Sequence, residues 1–217
     1  MKKRSFYVIG LVILLLALSA LNLTSCNSKP LSVSAKEGEA ANGFTWENNY
    51  SEITITGYVG SSNSPTMPSY INDKPVTRIK YHAFKDFETM TSIKLSENLQ
   101  VIEGAAFLNC KNLKSITFPD SVHTIEYSAF THCYSLTSFT FPKGVTEIEN
   151  CVLNGCSGIT SIVIPDSVTV IYHRGLGYLD NLKTIYYTGT KAQWEKIEVM
   201  GDNSILETVN MVYNYTK

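Results

Sequence analysis

Three cysteines recur at one spacing and are the first candidates for chemistry. Cys110, Cys133 and Cys156 follow one another at intervals of 23 residues. Thiols brought together could form disulfides or bind zinc, but an odd number cannot all pair, and a tetrahedral zinc site needs a fourth ligand. Phe87 and Leu179 lie at the same position one interval before and one interval after. The position therefore favours apolar volume, and we predict buried free thiols, since cysteine packs as a small hydrophobe.

A fourth cysteine, Cys151, lies outside this series. We expect it to be the accessible thiol of the domain. A disulfide between Cys151 and Cys156 across one turn is the lesser alternative.

The histidines give no catalytic or metal-binding arrangement. His132 precedes Cys133, but adjacent residues on an extended chain point to different sides, which disfavours a nucleophile and base pair. The other three share no position within the 23-residue interval: His82, His123 and His173. Phosphate-binding glycine loops and nucleophile-elbow patterns are absent from the sequence. We therefore assign no catalytic residue, no metal site and no cofactor.

One row of carboxylates does keep the interval. Glu103, Glu126 and Glu149 share a position that Lys80 and Tyr172 occupy in the flanking intervals. In stacked turns these side chains would lie about 5 Å apart. Calcium takes six to eight oxygen ligands from several directions, whereas one row supplies a single direction. We therefore favour a solvated row with modest repulsion over a calcium site.

These spacings come from an internal repeat that fills most of the chain. The stretch LQVIEGAAFLNCKNLKSITFPDS sets the period of 23 residues, and each copy ends in alternating apolar residues, which indicate a strand. No single copy could bury its apolar side chains without neighbours above and below. The sequence therefore predicts a mainly β solenoid with parallel strands about 4.8 Å apart. Five full units cover residues 76–190 without insertion or deletion: 76–98, 99–121, 122–144, 145–167 and 168–190.

Both ends of the stack depart from the repeat. Residues 44–75 contain two strand-like runs, FTWE and SEITITGY, which predict a β-hairpin cap followed by a degenerate first turn. Residues 191–217 form the predicted C-terminal cap. Thr190 and Gln193 have the spacing of a capping box that opens a short helix, and Trp194 would cover the end of the core.

The amino terminus predicts export. Three basic residues precede an apolar run from residue 6 to residue 21, so residues 1–25 have the parts of a secretory signal peptide. The segment LTSC resembles the bacterial lipoprotein box, in which cleavage precedes the cysteine and its thiol is lipidated, and Cys26 is the predicted lipidation site. An uncleaved membrane anchor is the alternative. Residues 26–43, rich in Ser, Ala, Lys and Glu, predict a lipid-anchored flexible linker.

The charge balance excludes one class of partner. The chain has 18 Lys and Arg against 19 Asp and Glu, and removal of residues 1–25 would leave 15 against 19, a net charge of −4. A mildly acidic chain argues against nucleic-acid binding.

The repeat also points to a family. The segment LKSITFPDSVHTIEYSAFTHCYSL resembles the BspA-type leucine-rich repeat of bacterial surface proteins, and the resemblance covers about residues 50–217. It implies a leucine-rich-repeat-like solenoid in a cell-surface or secreted module. In some members such modules are linked to adhesion to host matrix proteins or to other bacteria. The resemblance supplies no catalytic residue.

Two sets of outward side chains are the candidate ligand-binding residues. The first is a flat face of mostly hydroxyl groups along the predicted strands, for which a merely soluble surface is the other explanation: Ser92, Lys94, Ser115, Thr117, Ser138, Thr140, Ser161 and Tyr186. The second is a group of aromatic and cationic side chains in the fifth unit, which could instead serve to cap the core: Tyr172, Arg174 and Tyr178.

The sequence thus predicts a noncatalytic, exported, monomeric binding or adhesion module that is lipid-anchored at the cell surface and engages protein or glycan ligands. One alternative is an envelope scaffold that binds bacterial partners. A hydrolase with an unrecognised site is a weaker alternative, because acid–base chemistry needs clustered titratable groups.

Overall fold

The computed structural model describes residues 31–36 and 38–216. The signal peptide predicted for residues 1–25 and the lipidation predicted at Cys26 therefore lie outside the described residues. Among the residues that are described, no helix has the length and apolar character needed to cross a membrane.

A small sheet closes the N-terminal end of the stack. Strands β2 (Phe44–Asn49) and β3 (Glu52–Tyr58) pair antiparallel, which confirms the predicted hairpin. β3 pairs in parallel with β5 (Lys74–Ile79), and β5 forms a second hairpin with β4 (Tyr70–Ile71). Strand β3 thus gives β5, at the start of the first full 23-residue unit, a parallel partner.

The described part of residues 31–43 belongs to this cap. Strand β1 (Ser32–Val33) pairs in parallel with β4, and Ala41 is buried and exchanges two backbone hydrogen bonds with Phe44, at 2.8 and 2.9 Å. The side chain of Asn72 accepts from the N–H of Ala35 at 3.0 Å and donates to its carbonyl at 2.7 Å. The flexible linker predicted there does not hold for these residues. A strand of two residues is too short to produce an apolar periodicity, so the sequence pattern did not indicate the pairing of β1 with β4.

From β5 onward the chain winds as a solenoid with one turn per 23-residue unit. Short strands stack in parallel one unit apart. Two ladders of short strands result: the first runs from β5 to β6 (Val101–Ile102) and β7 (Thr124–Ile125), the second comprises β9 (Glu147–Ile148), β11 (Val170–Ile171) and β13 (Glu198–Val199). This arrangement confirms the predicted mainly β solenoid with parallel strands.

Longer strands later in the last three units, together with one strand of the C-terminal cap, form the main sheet. Its four strands are parallel, in this order: β8 (Ser138–Thr140), β10 (Ser161–Ile164), β12 (Thr184–Tyr187) and β14 (Asn210–Val212). Residues 90–95 and 113–118 run at the equivalent position in the earlier units, where only isolated bridges join Thr66 to Lys94 and Lys94 to Thr117.

The repeated apolar positions fill the interior, as the period predicts. The side chains of Phe84, Phe107 and Phe130 stack in line, with 5.0 Å between the ring centroids of each neighbouring pair. This distance matches the spacing of adjacent parallel strands. Each ring therefore packs on the same residue of the next turn, and burial in one turn depends on its neighbours.

Every unit turns sharply through two residues in the left-handed region, four positions apart. The first series has φ between 51° and 62°: His82, Ala105, Ser128, Cys151 and Arg174. The second has φ between 52° and 73°: Asp86, Asn109, His132, Gly155 and Tyr178. Such angles cost roughly 1–2 kcal/mol for a residue other than glycine. Backbone hydrogen bonds between successive turns offset this cost, as from the N–H of Phe107 to the carbonyl of Ala129 at 2.8 Å.

The C-terminal cap begins with the predicted capping box. The Thr190 hydroxyl accepts from the Gln193 N–H at 3.2 Å, and the Thr190 N–H donates to the Gln193 side chain at 2.8 Å. Helix α1 (Lys191–Trp194) is a single turn, and Trp194 packs against the buried Tyr187 with 5.2 Å between rings. The chain then extends both sheets through β13 and β14, with a 3₁₀ turn at Ser204–Glu207 between them.

Candidate binding surface

The outward side chains of the main strands form the strand face. Parallel register places Ser138, Ser161 and Thr184 side by side, and Thr140, Val163 and Tyr186 in the next column. The hydroxyl columns predicted from the repeat are therefore present in the main sheet. They continue into the earlier units through the bridge between Lys94 and Thr117.

A shallow depression of about 480 Å³ interrupts the strand face. Four predicted ligand-binding residues line it: Ser92, Lys94, Ser115 and Thr117. Its apolar lining comes from Ile93, Leu95, Ile116, Phe118 and Pro119, and Glu97 adds a carboxylate. The depression thus combines hydroxyl groups, one cation and one anion with exposed apolar surface.

The apolar surface is open because one unit packs less tightly than the others. Ile116 and Phe118 are half-buried, whereas the equivalent pair in each of the other four full units is buried. No strand pairing joins residues 115–118 to β8, both of which the structure describes, so the main sheet starts only at β8. Phe118 instead leans on the rings of Phe130 and Phe139, at 5.9 and 5.3 Å.

The other predicted residues of the strand face lie outside the depression. Ser138, Thr140 and Ser161 lie on β8 and β10. Tyr186 packs on Tyr215 with 4.7 Å between ring centroids and is half-buried. Tyr186 therefore contributes to the C-terminal cap as well as to the surface.

The second predicted set is brought together only in part. The guanidinium of Arg174 lies 5.2 Å from the ring centre of Tyr178, and its Nε lies 3.3 Å from a carboxylate oxygen of Asp202. Tyr178 and Asp202 line a cavity of about 380 Å³ together with Asp180, Glu207 and apolar residues of the cap.

Tyr172 faces a different environment from Arg174 and Tyr178. The carboxylate of Glu147 is the main cause of the raised pKa of Tyr172, followed by burial and by Glu149 and Glu198. The three residues that the sequence groups together thus form one pair and one separate side chain. The reason is that Tyr172 follows the short strand β11, whereas Arg174 and Tyr178 lie in the sharp corner after it.

The row of glutamates has a structural role that the sequence did not predict. Carboxylate oxygens of Glu103 and Glu126 accept from the backbone N–H groups of Tyr81 and Gly104, at 2.8 and 2.9 Å, each one turn earlier. Both side chains are half-buried, and Glu103 also pairs with Arg78 at 3.4 Å. The prediction of a solvated row is therefore wrong for these two residues. Within the described residues, no group of three or more potential ligands could hold a metal ion.

The cysteine series is buried, as predicted. Each thiol donates to the carbonyl of a phenylalanine one turn earlier: Cys110 to Phe84, Cys133 to Phe107 and Cys156 to Phe130, at 3.0–3.2 Å. Burial raises the pKa of Cys110 to about 12. The pKa of Cys133 is also raised, first by its hydrogen bond with Cys156 and then by burial. All four cysteines of the described residues are free thiols, and Cys151 is half-buried.

We predict that these thiols differ in reactivity. In the mature chain carrying Cys26→Ala, iodoacetamide at pH 8 should modify Cys151 first, because the reagent cannot reach the three buried thiols of the series, and the raised pKa values of Cys110 and Cys133 also keep those two protonated. Cys110, Cys133 and Cys156 should react only in denaturant. Peptide mass mapping with and without urea measures this. Native modification of Cys133, or a mass two protons lower for a linked pair, would contradict it.

Exposed tyrosines are a feature that the sequence analysis missed. Tyr81, Tyr127 and Tyr134 are 47%, 48% and 43% exposed, yet only Tyr178 among the exposed tyrosines was a candidate. A signal was available in the alignment of the units. Tyr81 and Tyr127 occupy the same position two units apart, with Gly104 between them.

Comparison of solved structures finds the same fold in bacterial proteins. The leucine-rich repeat protein of T. pallidum has a TM-score of 0.66 at 24% identity, covering 76% of this chain and 81% of that one. A leucine-rich cell surface protein from Faecalibacterium prausnitzii A2-165 has a TM-score of 0.59 at 23% identity, covering 81% of this chain and 54% of that one. The pneumococcal vaccine antigen PcpA has a TM-score of 0.57 at 17% identity, with coverages of 81% and 48%. This chain spans about half the length of the latter two.

Sequence comparisons give the family. No curated protein sequence matches the chain significantly. The profile of the BspA type leucine-rich repeat region matches residues 66–198 in six copies, beginning in the segment predicted as a degenerate first turn. That match covers more than half of the chain and coincides with the parallel-stranded turns. The chain belongs to the BspA-type leucine-rich repeat family.

Proposed function

We propose that the protein is a noncatalytic binding module, exported and lipid-anchored through Cys26 to the bacterial surface, whose strand face engages protein ligands. The observation that carries this proposal is the depression on that face. Its half-buried Ile116 and Phe118 offer apolar contact, and Lys94 and Glu97 can pair with charges of a partner. Exposed apolar surface with a polar rim is the usual composition of a protein-binding site.

A single copy should bind weakly. Tight interfaces centre on Trp, Tyr and Arg anchors that fill closed pockets, whereas the depression is open and none of the residues that line it is Trp, Tyr or Arg. Many tethered copies on one cell can still hold a polyvalent target, because avidity exceeds single-site affinity by about 10²- to 10⁴-fold without new contacts. The proposal therefore favours adhesion over capture of a soluble ligand.

The test compares one molecule with many. We expect the soluble monomer to bind a reconstituted basement-membrane extract with about micromolar or weaker affinity, and beads coated with the same protein to adhere firmly. Thr117→Arg fills the depression and should reduce bead adhesion about tenfold or more. Thr146→Arg is the matched control, since Thr146 is also an exposed threonine but lies before the short strand β9, away from the strand face.

Two results would argue against this function. Nanomolar binding of the monomer would remove the need for avidity, and equal adhesion of the two variants would exclude the strand face. Protease shaving of intact cells separates adhesion from the alternative of an envelope scaffold. Release of the domain indicates an outward-facing module, whereas complete protection indicates a scaffold inside the envelope.

A further inference from the structure

Two tyrosines from non-adjacent turns form an exposed aromatic surface at the corner after the short strands. We call Tyr81, Gly104 and Tyr127 the aromatic platform. Two stacked turns separate the backbones of Tyr81 and Tyr127 by about 10 Å. Their ring centroids nevertheless lie only 6.3 Å apart, with an angle of 44° between the ring planes. The Tyr127 ring must therefore fold over the turn that separates it from Tyr81.

Gly104 makes this approach possible. A Cβ atom at position 104 would lie 2.7, 2.8 and 3.0 Å from three atoms of the Tyr127 ring, so any side chain there would force the ring to move away. These similar distances mean that the ring lies flat over the glycine. One face of Tyr127 is thus covered by Gly104 and the residue remains 48% exposed, so its other face is open to solvent.

The platform is held in place from below. The carboxylates of Glu103 and Glu126 accept from the backbone N–H groups of Tyr81 and Gly104, at 2.8 and 2.9 Å. The ring of His82 stacks on Tyr81 with 3.7 Å between centroids and 26° between planes. A ligand would therefore meet a surface that is already ordered, which reduces the entropy lost on binding.

The surrounding groups favour a neutral, hydroxylated ligand. The open face of an aromatic ring carries partial negative charge and attracts polarised C–H groups or cations. Arg78 lies 3.4 Å from Glu103 and Glu126 accepts from the Gly104 N–H, so both carboxylates beside the platform already have partners, which leaves less negative charge to attract a cation. The tyrosine hydroxyls and the second oxygen of Glu126 remain as hydrogen-bonding groups around the rings, and the pKa of Tyr127 is raised, mainly by burial, which keeps its hydroxyl protonated.

From this geometry we propose that the aromatic platform is a carbohydrate-binding site for β-linked, glucose-like pyranose chains. In such sugars all hydroxyl groups are equatorial, so each ring face presents only C–H groups to an aromatic ring while the hydroxyl groups point sideways to hydrogen-bond partners. The site is separate from the depression on the strand face. Its ligand chemistry does not depend on the protein-binding function proposed above.

Cellohexaose, a linear β-linked glucose hexamer, is the probe for the test. NMR titration of the mature chain should shift the Tyr81 and Tyr127 ring resonances saturably, with a dissociation constant of about millimolar order for two stacked rings. Tyr127→Ala should weaken binding about tenfold. Gly104→Ala should also weaken it, because the new methyl group displaces the Tyr127 ring without removing a tyrosine. Tyr134→Ala, which removes an equally exposed tyrosine outside the platform, should leave binding unchanged.

Three outcomes would overturn the proposal. The first is the absence of saturable shifts up to the solubility limit of cellohexaose. The second is equal binding by the wild-type chain and Tyr127→Ala, with thermal melts verifying that both are folded. The third is saturation of the same resonances by choline but not by cellohexaose, which would identify a cation site.

Discussion

Replacing Ile125 by Asp is expected to unfold the solenoid or to lower its free energy of unfolding by about 3–5 kcal/mol. Ile125 is buried and pairs with Ile102 in the first short-strand ladder. A carboxylate there would have no partner and no water, and an unpaired buried polar group costs several kcal/mol. Domains of this kind are stable by only about 5–15 kcal/mol, so the loss is a large part of the total.

Urea unfolding followed by circular dichroism measures this effect. His123→Asp is the matched control, since it adds the same charge two residues away at an exposed position and should change stability by less than about 0.5 kcal/mol. Because each turn is stabilised only by its neighbours, the damage at Ile125 should spread in both directions. An unchanged midpoint for Ile125→Asp would mean that the assignment of this column to the core is wrong.

The stacked rows of core residues could be predicted from the sequence because each apolar position recurs in all five units. Ile125 and Phe130 repeat residues of the same character at a fixed interval, and in a stacked fold such residues must lie on one another. The buried thiols follow from the same logic, since Phe87 and Leu179 hold the equivalent position. In these cases the fixed interval along the sequence determines which side chains lie next to one another in the fold.

Features that occur once could not be predicted in this way. The pairing of β1 with β4 involves two residues on each side, and residues 31–36 lie outside the repeated units. The half-buried state of Ile116 and Phe118 likewise occurs in only one of the five full units. Their sequence matches that of the other units, and the difference arises from the missing strand pairing between this unit and β8.

The aromatic platform depends on a combination of unlike residues at one repeated position. Tyr81, Gly104 and Tyr127 occupy the same position of successive units but differ in size and polarity, so the sequence pattern gives no reason to group them. The structure makes the variation meaningful, since the missing side chain of Gly104 is the space that the Tyr127 ring fills. The prediction of a solvated glutamate row failed for a related reason. A hydrogen bond from a backbone N–H of the previous turn to a carboxylate does not alter the residue spacing, so the sequence pattern cannot indicate it.

Replacing Cys26 by Ala is expected to abolish lipid labelling and to leave the chain either released or stalled as a precursor. The attached acyl chains would otherwise anchor the protein firmly, because each buried methylene contributes about 0.8 kcal/mol and two or three chains are available. The described residues begin at Leu31, five positions after Cys26 in the sequence. Five residue steps span at most about 18 Å, so the start of the N-terminal cap would lie close to the bilayer.

Metabolic labelling with a palmitate analogue, followed by detergent phase partition, measures this prediction. Cys151→Ala is the control: it removes another half-buried thiol but leaves the LTSC segment intact, so its labelling should equal that of the unmodified chain. Labelling that persists in Cys26→Ala would place the lipid on another residue. Firm membrane association without any label would instead identify the apolar run at residues 6–21 as an uncleaved anchor, because a spanning helix holds a protein without acylation.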